Sequence, residues 1–240
     1  MSLIGNTDII LVSGGKGGVG KSTISAGLAK SLAKTGLNVG LLDADVSGPS
    51  QHYLFPDAKM VAHENKLLPA LIDGVYVASM GYLSESTSAI VWSDDIGRGL
   101  MSTLLNNVLW GKLDLLVVDL PPSTSPVTRI LLEFIEKAWV VFVTTGSALS
   151  MADCKRDIMF HRRLETYPLG IVENLSYVLC PDCNKKLHLF DSYEVEKIAA
   201  GNGLEVLSQF PFSNTILSYG IMDTLAERCI LAIKNSDKVG

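Results

Sequence analysis

Short runs that are apolar at nearly every position alternate along the chain with longer segments whose apolar residues recur at helical spacing. The runs Ile9 to Ser13, Val39 to Asp43, Val75 to Ser79, Leu113 to Asp119, Ala138 to Thr144, Leu169 to Glu173 and Glu205 to Gln209 are the strand candidates. The periodic segments between them, Thr23 to Lys34 first, are the helix candidates. Stretches such as Leu115-Leu116-Val117-Val118 show no polar alternation, as expected of strands covered on both faces. Strands joined by crossover helices predict an α/β fold in three layers, with a mainly parallel sheet between two layers of helices.

The pattern loosens twice. Between Asp43 and Val75 the chain reads as a surface excursion with a short hairpin around His63 to Pro69. From Ser176 to Leu189 it reads as a projecting turn, Cys180-Pro181-Asp182-Cys183, followed by Lys185 and Lys186. The segment Thr224 to Lys234 has one apolar face and few cations, which predicts a packed terminal helix. No repeat or linker interrupts the 240 residues, so a single domain over 1–240 with a protruding cysteine turn near 176–190 is expected. A hydrophobic content of 48% supports a well-filled core, and a net charge of −5 offers no general attraction to nucleic acid or anionic lipid. No apolar run approaches the roughly 20 residues that span a bilayer, and no charged-then-apolar leader opens the chain. A cytoplasmic protein with no membrane and no nucleic-acid partner is the expectation. Four cysteines in such a chain do not make a disulfide framework, and Cys154 and Cys229 fall in helical segments as small packed hydrophobes.

The chemistry concentrates after the first strand. Gly14-Gly15-Lys16-Gly17-Gly18-Val19-Gly20-Lys21-Ser22 joins an apolar strand to a helix, the setting of a nucleotide phosphate loop. Its glycines let backbone N–H groups turn onto phosphate oxygens, with Gly15 through Ser22 and Thr23 forming the cradle. Lys21 reaches the β- and γ-phosphates, the Ser22 hydroxyl sits on Mg²⁺, and the helix N-terminus adds partial positive charge. An ordinary phosphate loop has no need of a second cation, so Lys16 suggests a dimer that shares its nucleotides.

Acidic residues close the next strands. In parallel sheets ligands lie outside the carboxyl ends of strands, so Asp43 and Asp45 face the phosphates. Asp43 is the better Mg²⁺ candidate and Asp45 the better water-positioning one. Leu115 to Asp119 is the apolar run that places a carboxylate, Asp119, in the outer shell of Mg²⁺. Pro121 and Pro122 then force an extended chain into Ser123 to Pro126, a loop able to respond to the γ-phosphate. Asn174, at a strand end, can meet a base edge as donor and acceptor or serve as a turn residue, and Phe210-Pro211-Phe212 can pack on the purine, with Pro211 in the contact.

These residues resemble the deviant-Walker group of dimeric ATPases, whose signature is Lys16-Gly17-Gly18-Val19-Gly20-Lys21-Ser22. Within it, Asp43-Ala44-Asp45 through Gly48-Pro49-Ser50, Asp119-Leu120-Pro121-Pro122, and Gly170 through Tyr177 followed by Cys180-Pro181-Asp182-Cys183 resemble the Mrp/NBP35/ApbC branch of iron–sulfur cluster carriers. The resemblance covers nearly the whole chain. It implies a P-loop NTPase fold and a homodimer in which Lys16 crosses to the partner's nucleotide. It also implies slow Mg²⁺-dependent ATP hydrolysis and a [4Fe–4S] cluster held by two cysteines from each subunit for delivery to apoproteins. The chain departs from the branch in carrying Ser123-Thr124-Ser125-Pro126 where members have Gly-Thr-Gly-Asp, and Ser93-Asp94-Asp95 after Trp92 rather than Arg-Gly-Pro.

Read on their own, Cys180 and Cys183 leave several jobs open. Two thiolates from one turn do not complete a site, and His188 would add only a third ligand. Two copies about a two-fold axis give four thiolates, suited to a shared cluster or to shared zinc, while a redox or structural pair needs no partner. Three functions compete accordingly: an ATP-dependent cluster carrier, a MinD/ParA-type positioning ATPase on membrane or DNA, and a metabolic kinase, against which Lys16 argues.

Overall fold

The computed structural model describes residues 7–57, 59–83, 94–122, 125–213 and 220–236. Ser123 and Thr124 of the loop after the prolines, and Trp92 with Ser93, lie outside them.

The expected strands form around β1 (Asp8–Ser13), β2 (Val39–Asp43), β6 (Val75–Ala78), β7 (Leu115–Asp119), β8 (Trp139–Thr144), β9 (Tyr167–Leu179) and β11 (Val206–Pro211). The order through the sheet is β10-β9-β8-β1-β7-β2-β6-β5, with β11 also paired to β9. The pairings among β6, β2, β7, β1, β8, β9 and β11 are all parallel. The short β5 (Ala70–Ile72) and β10 (Lys186–His188) add antiparallel edges, and β3 (Val61–His63) with β4 (Lys66–Leu68) makes the hairpin in the excursion.

Alternate residues of each strand feed two separate cores, as a period of two requires. Ile9, Leu11, Leu116, Val118, Val140 and Phe142 join one core with side chains of α3 (Asp94–Ser102), α4 (Val127–Leu132), α5 (Ala148–Arg163) and α6 (Ser192–Gly201). Ile10, Val12, Leu115, Val117, Val141 and Val143 join the other with α1 (Lys21–Lys34) and α7 (Ile221–Ser236), the short α2 (Gln51–Leu54) lying beside α1. The terminal segment is a packed helix as expected, α7 burying Met222, Leu225, Ala226, Cys229 and Ile233. Cys154 is buried in the first core and Cys229 in the second, both with free thiols. Among the described residues no helix is long and apolar enough to cross a membrane.

Two differences from the sequence reading bear on the site. The run at Leu169 to Glu173 continues as one strand to Leu179 and leads directly into the cysteine turn. Moreover, β7 inserts between β1 and β2, which sequence order does not disclose. Asp119 therefore stands in register with Val12 on one side and Asp43 on the other.

Candidate functional site

The segment from Gly14 to Gly20 leaves β1 at the carboxyl edge of the sheet and enters α1 at Lys21. Gly18 and Gly20 have φ of 81° and 94°, a region that residues with a Cβ rarely adopt. Gly15 is required for a different reason, since a Cβ there would stand 2.4 Å from the Asp153 carbonyl oxygen on α5. Gly17 and Gly18 face open space on their outer side, so the loop is backed by protein and open in front. That is the shape of a phosphate cradle. Lys16 is exposed on the open side, whereas Lys21 is buried and Ser22 and Thr23 are half-buried at the first turn of α1.

Burial pulls the Lys21 ammonium below its usual range, against the pull of Asp119, Asp45 and Asp157. Asp119 and Asp43 are each 1% exposed, and burial together with mutual repulsion pushes Asp43 up to about 7. Burial raises Asp119 as well, with Ser22, Gln51, Lys21 and Ser25 opposing it. Two adjacent buried carboxylates beside a serine hydroxyl are a donor set that gains from a hard, oxygen-seeking cation, so the residues fit Mg²⁺.

The two acids do different local work. Asp43 accepts from the backbone N–H groups of Asp45, Ser50 and Gln51 at 3.2, 3.0 and 3.0 Å and from Ser79 Oγ at 2.8 Å. It thereby folds the Asp45–Gln51 loop over the end of the sheet. Asp45 is half-buried, with one oxygen accepting from Gly48 N at 3.1 Å. Asp119 accepts from Ser25 Oγ at 3.1 Å and from Gln51 Nε2 at 2.8 Å.

Gln51 is the residue that sequence reasoning missed. It is fully buried, its Nε2 also donates to the Ser22 carbonyl at 3.1 Å, and its backbone N–H goes to Asp43. Its Oε1 is buried with no partner among the described residues. One residue thus contacts Ser22 and Asp119 through its side chain and Asp43 through its backbone, and Ser50 next to it bonds Ser22 Oγ at 2.9 Å. The only signal in the sequence was its place directly after Gly48-Pro49-Ser50.

Asn174 is buried, and its Nδ2 donates to the Val19 carbonyl of the phosphate loop at 2.9 Å. That bond uses one of the two N–H groups of Nδ2, and Oδ1 is buried with no partner among the described residues. Pro211 is buried at the end of β11, opposite Tyr177 of β9, with Phe212 exposed beyond it. The cysteine turn follows β9 on this same edge. Cys180 is half-buried and Cys183 exposed, and bonds from Cys180 N to Lys185 O at 3.0 Å and from Asn184 N to Cys180 O at 2.9 Å close the turn. Hydrogen bonds from the Asp182 and Cys183 backbone and the Cys183 side chain lower the Cys180 thiol below its usual value. His188 lies on β10 beside the Tyr177 ring, and among the described residues no three His, Cys, Asp or Glu side chains gather as a metal site.

Beneath the phosphate loop lies a second polar cluster outside the sequence reading. Ser13 Oγ donates to Asp157 Oδ2 at 2.8 Å, and His161 Nε2 lies 3.0 Å from the same hydroxyl. Burial pushes Asp157 up to about 6 and His161 down to about 4.

A family profile described as NUBPL iron-transfer P-loop NTPase, in the ParA group, matches residues 5–231. The chain belongs to this family. It is 36% identical over 213 residues to an iron-sulfur cluster carrier protein of Pseudomonas fragi, covering 87% of this chain and 74% of that one. A second protein of that name, from Aquifex aeolicus, is 38% identical over 208 residues, 85% of this chain but 57% of the relative. Among solved structures, a nucleotide-binding protein from Archaeoglobus fulgidus in complex with ADP superposes with a TM-score of 0.76 at 32% identity. That match covers 94% of this chain and 89% of that one. The family places the phosphate loop in a nucleotide-binding NTPase and the fold among three-layer P-loop proteins.

Proposed function

We propose that two copies of this chain bind ATP at the Gly14–Ser22 loops, hydrolyse it slowly, and carry an iron–sulfur cluster between their cysteine turns for transfer to apoproteins. The observation that carries this reading is the placement of both sites on one edge: β9 touches the phosphate loop through Asn174 and ends at Leu179, directly before Cys180. Relatives named as iron-sulfur cluster carriers support the cargo, and the ADP complex of the Archaeoglobus protein supports the nucleotide. The family points to a carrier rather than a kinase or a positioning ATPase.

The residues divide the work as follows. Backbone amides from Gly15 to Ser22 and the Lys21 ammonium bind and orient the phosphates. The exposed Lys16 reaches toward the second copy, which is why the site is complete in a dimer. Ser22, Asp43 and Asp119 would hold Mg²⁺, which when bound neutralises charge on the β- and γ-phosphate oxygens. Asp45, with one oxygen not engaged by Gly48, orients the attacking water, and Asn174 and Pro211 border the base. The cluster, as cargo, takes two thiolates from each copy, Cys180 and Cys183, because a single turn supplies only half of a tetrathiolate set. Zinc would accept the same four thiolates.

Anaerobic reconstitution with iron and sulfide tests the reading. The expected product is a brown dimer with about one [4Fe–4S] per two chains, lost in Cys180→Ser and Cys183→Ser. A colourless monomer, or zinc alone in anaerobically purified protein, overturns the cargo assignment.

A further inference from the structure

β9 is built in two halves that differ in their partners. Up to Glu173 it is a parallel strand held by β8 and β11. From Tyr177 to Leu179 it pairs with β10 in an antiparallel ribbon that ends at the cysteine turn. Between the halves the strand is irregular in two independent respects. Leu175 has φ of 55°, the left-handed region that a residue with a Cβ avoids. The register against β11 also slips, because Glu173 faces Gln209 while Tyr177 faces Pro211, leaving residues 174–176 as a bulge.

This bulge abuts the phosphate loop. Asn174 Nδ2 donates to the Val19 carbonyl at 2.9 Å, and Gly20 closes so tightly on the amide that a Cβ there would stand 2.2 Å from Nδ2. Among the described residues, Asn174 Oδ1 and Glu173 Oε1, on consecutive positions of β9, are both buried and unpartnered. Such groups carry an energetic debt that a different local arrangement, or a ligand, can relieve. On the far side, Leu189 N to Ser176 O at 3.1 Å and Phe212 N to Tyr177 O at 2.7 Å tie the outer half of β9 to its own ribbon and to the end of β11.

We infer that Asn174 is a positioning residue shared by the phosphate loop and the cysteine turn, and that the Leu175 bulge is the joint through which nucleotide occupancy alters the presentation of Cys180 and Cys183. The inference rests on the carrier reading and supplies its route of regulation. Phosphates drawn onto the amides of Val19 and Gly20 shift the Val19 carbonyl, and Asn174 must follow or lose the bond from its Nδ2. Residues before Asn174 are fixed by parallel pairing on both sides, so the displacement is taken up beyond it. A strained single-residue joint is where a strand can hold two arrangements of similar energy. Coupling is reciprocal, so occupancy of the cysteines shifts nucleotide affinity by the same factor.

Residue-resolved alkylation of Cys180 and Cys183 by iodoacetamide, in the full chain free of cluster, iron and zinc, with and without Mg-ADP and Mg-ATP, tests the joint. Cys154 and Cys229, both buried, serve as internal controls. Nucleotide is expected to change the alkylation rate about fivefold or more. Leu175→Gly, which frees the joint, should bind ADP as wild type does but lose most of that change. Asn174→Ala should lose both. Dimer closure alone would protect the thiols equally in wild type and Leu175→Gly, so their difference isolates the joint. Thiols insensitive to nucleotide in the wild type, or a Leu175→Gly protein with the full wild-type response, overturn it. Should Leu175→Gly fail to fold, hydrogen exchange in the wild type decides: nucleotide-induced protection that stops at the phosphate loop and leaves residues 176–180 unchanged also overturns it. Nucleotide-sensitive thiols with no cluster on reconstitution would remove the carrier reading and leave the joint standing, and a cluster-bearing protein with insensitive thiols would do the reverse.

Discussion

At the scale of single residues, the side chains that organise the site are not the ones that carry its obvious chemistry. Gln51 has no charge and no nucleophile, yet it links Ser22 to Asp119 and caps the Asp43 loop from full burial. Gln51→Ala leaves a buried carboxylate short of a donor, at a cost of about 1–3 kcal/mol. It should also raise the Mg²⁺ concentration needed for tight ADP binding, with binding in the absence of Mg²⁺ little changed. Denaturant melts and Mg²⁺ titrations check the two arms. The Asp157–His161 pair gives a prediction in pH. The folded pKa of Asp157, about 6, lies above its ordinary 3.8, so its stabilisation is full below about 3.8 and is lost as pH rises through about 6. His161 is depressed from 6.5 to about 4, so its stabilisation is full above about 6.5 and is lost as pH falls through about 4. The two slopes oppose each other, each with a ceiling of about 3 kcal/mol, so this pair nearly cancels, and the raised Asp43 and Asp119 leave the wild type losing stability as pH rises. Relative to wild type, Asp157→Asn should tilt the profile toward stability rising with pH, and His161→Phe should steepen its fall. Thermal melts from pH 4 to pH 6.5 read both.

Elements set the site through close approach. The phosphate loop is held between α5 and β9, with Gly15 against the Asp153 carbonyl and Gly20 against Asn174. Gly15→Ala has no flexible neighbour to displace, since the clash is with helix backbone. It should cost about 1–3 kcal/mol and abolish ADP binding, as calorimetry would show. The strands were legible because each is apolar on both faces, and α1 because its start is set by the loop. The full reach of β9 was not legible, since Asn174 to Tyr177 reads as a strand end, and a bulge has no residue signature when a leucine rather than a glycine occupies the left-handed position. Gln51 escaped for a related reason: an amide after a proline-serine turn is ordinary on a surface, and only the packing of α2 beside α1 buries it.

For the whole molecule, the decisive arrangement is that nucleotide and cysteines share one edge of a single sheet, with Lys16 exposed there. Lys16→Ala should bind ADP normally while losing ATP-dependent dimerisation and hydrolysis, measured by light scattering and phosphate release. If dimerisation persists in that variant, the role given to this lysine is wrong. The sequence by itself determined the layers and the phosphate loop and offered the acids and thiols as candidates, because strand burial, glycine conformation and ligand chemistry are local properties of residue type and spacing. Which of those residues meet was decided by tertiary structure alone. The insertion of β7 between β1 and β2 sets Asp119 beside Asp43, the excursion after β2 brings Gln51 over both, and β9 joins the phosphate loop to the cysteine turn. These contacts join residues far apart in the chain, and neither periodicity nor composition encodes which strands become neighbours.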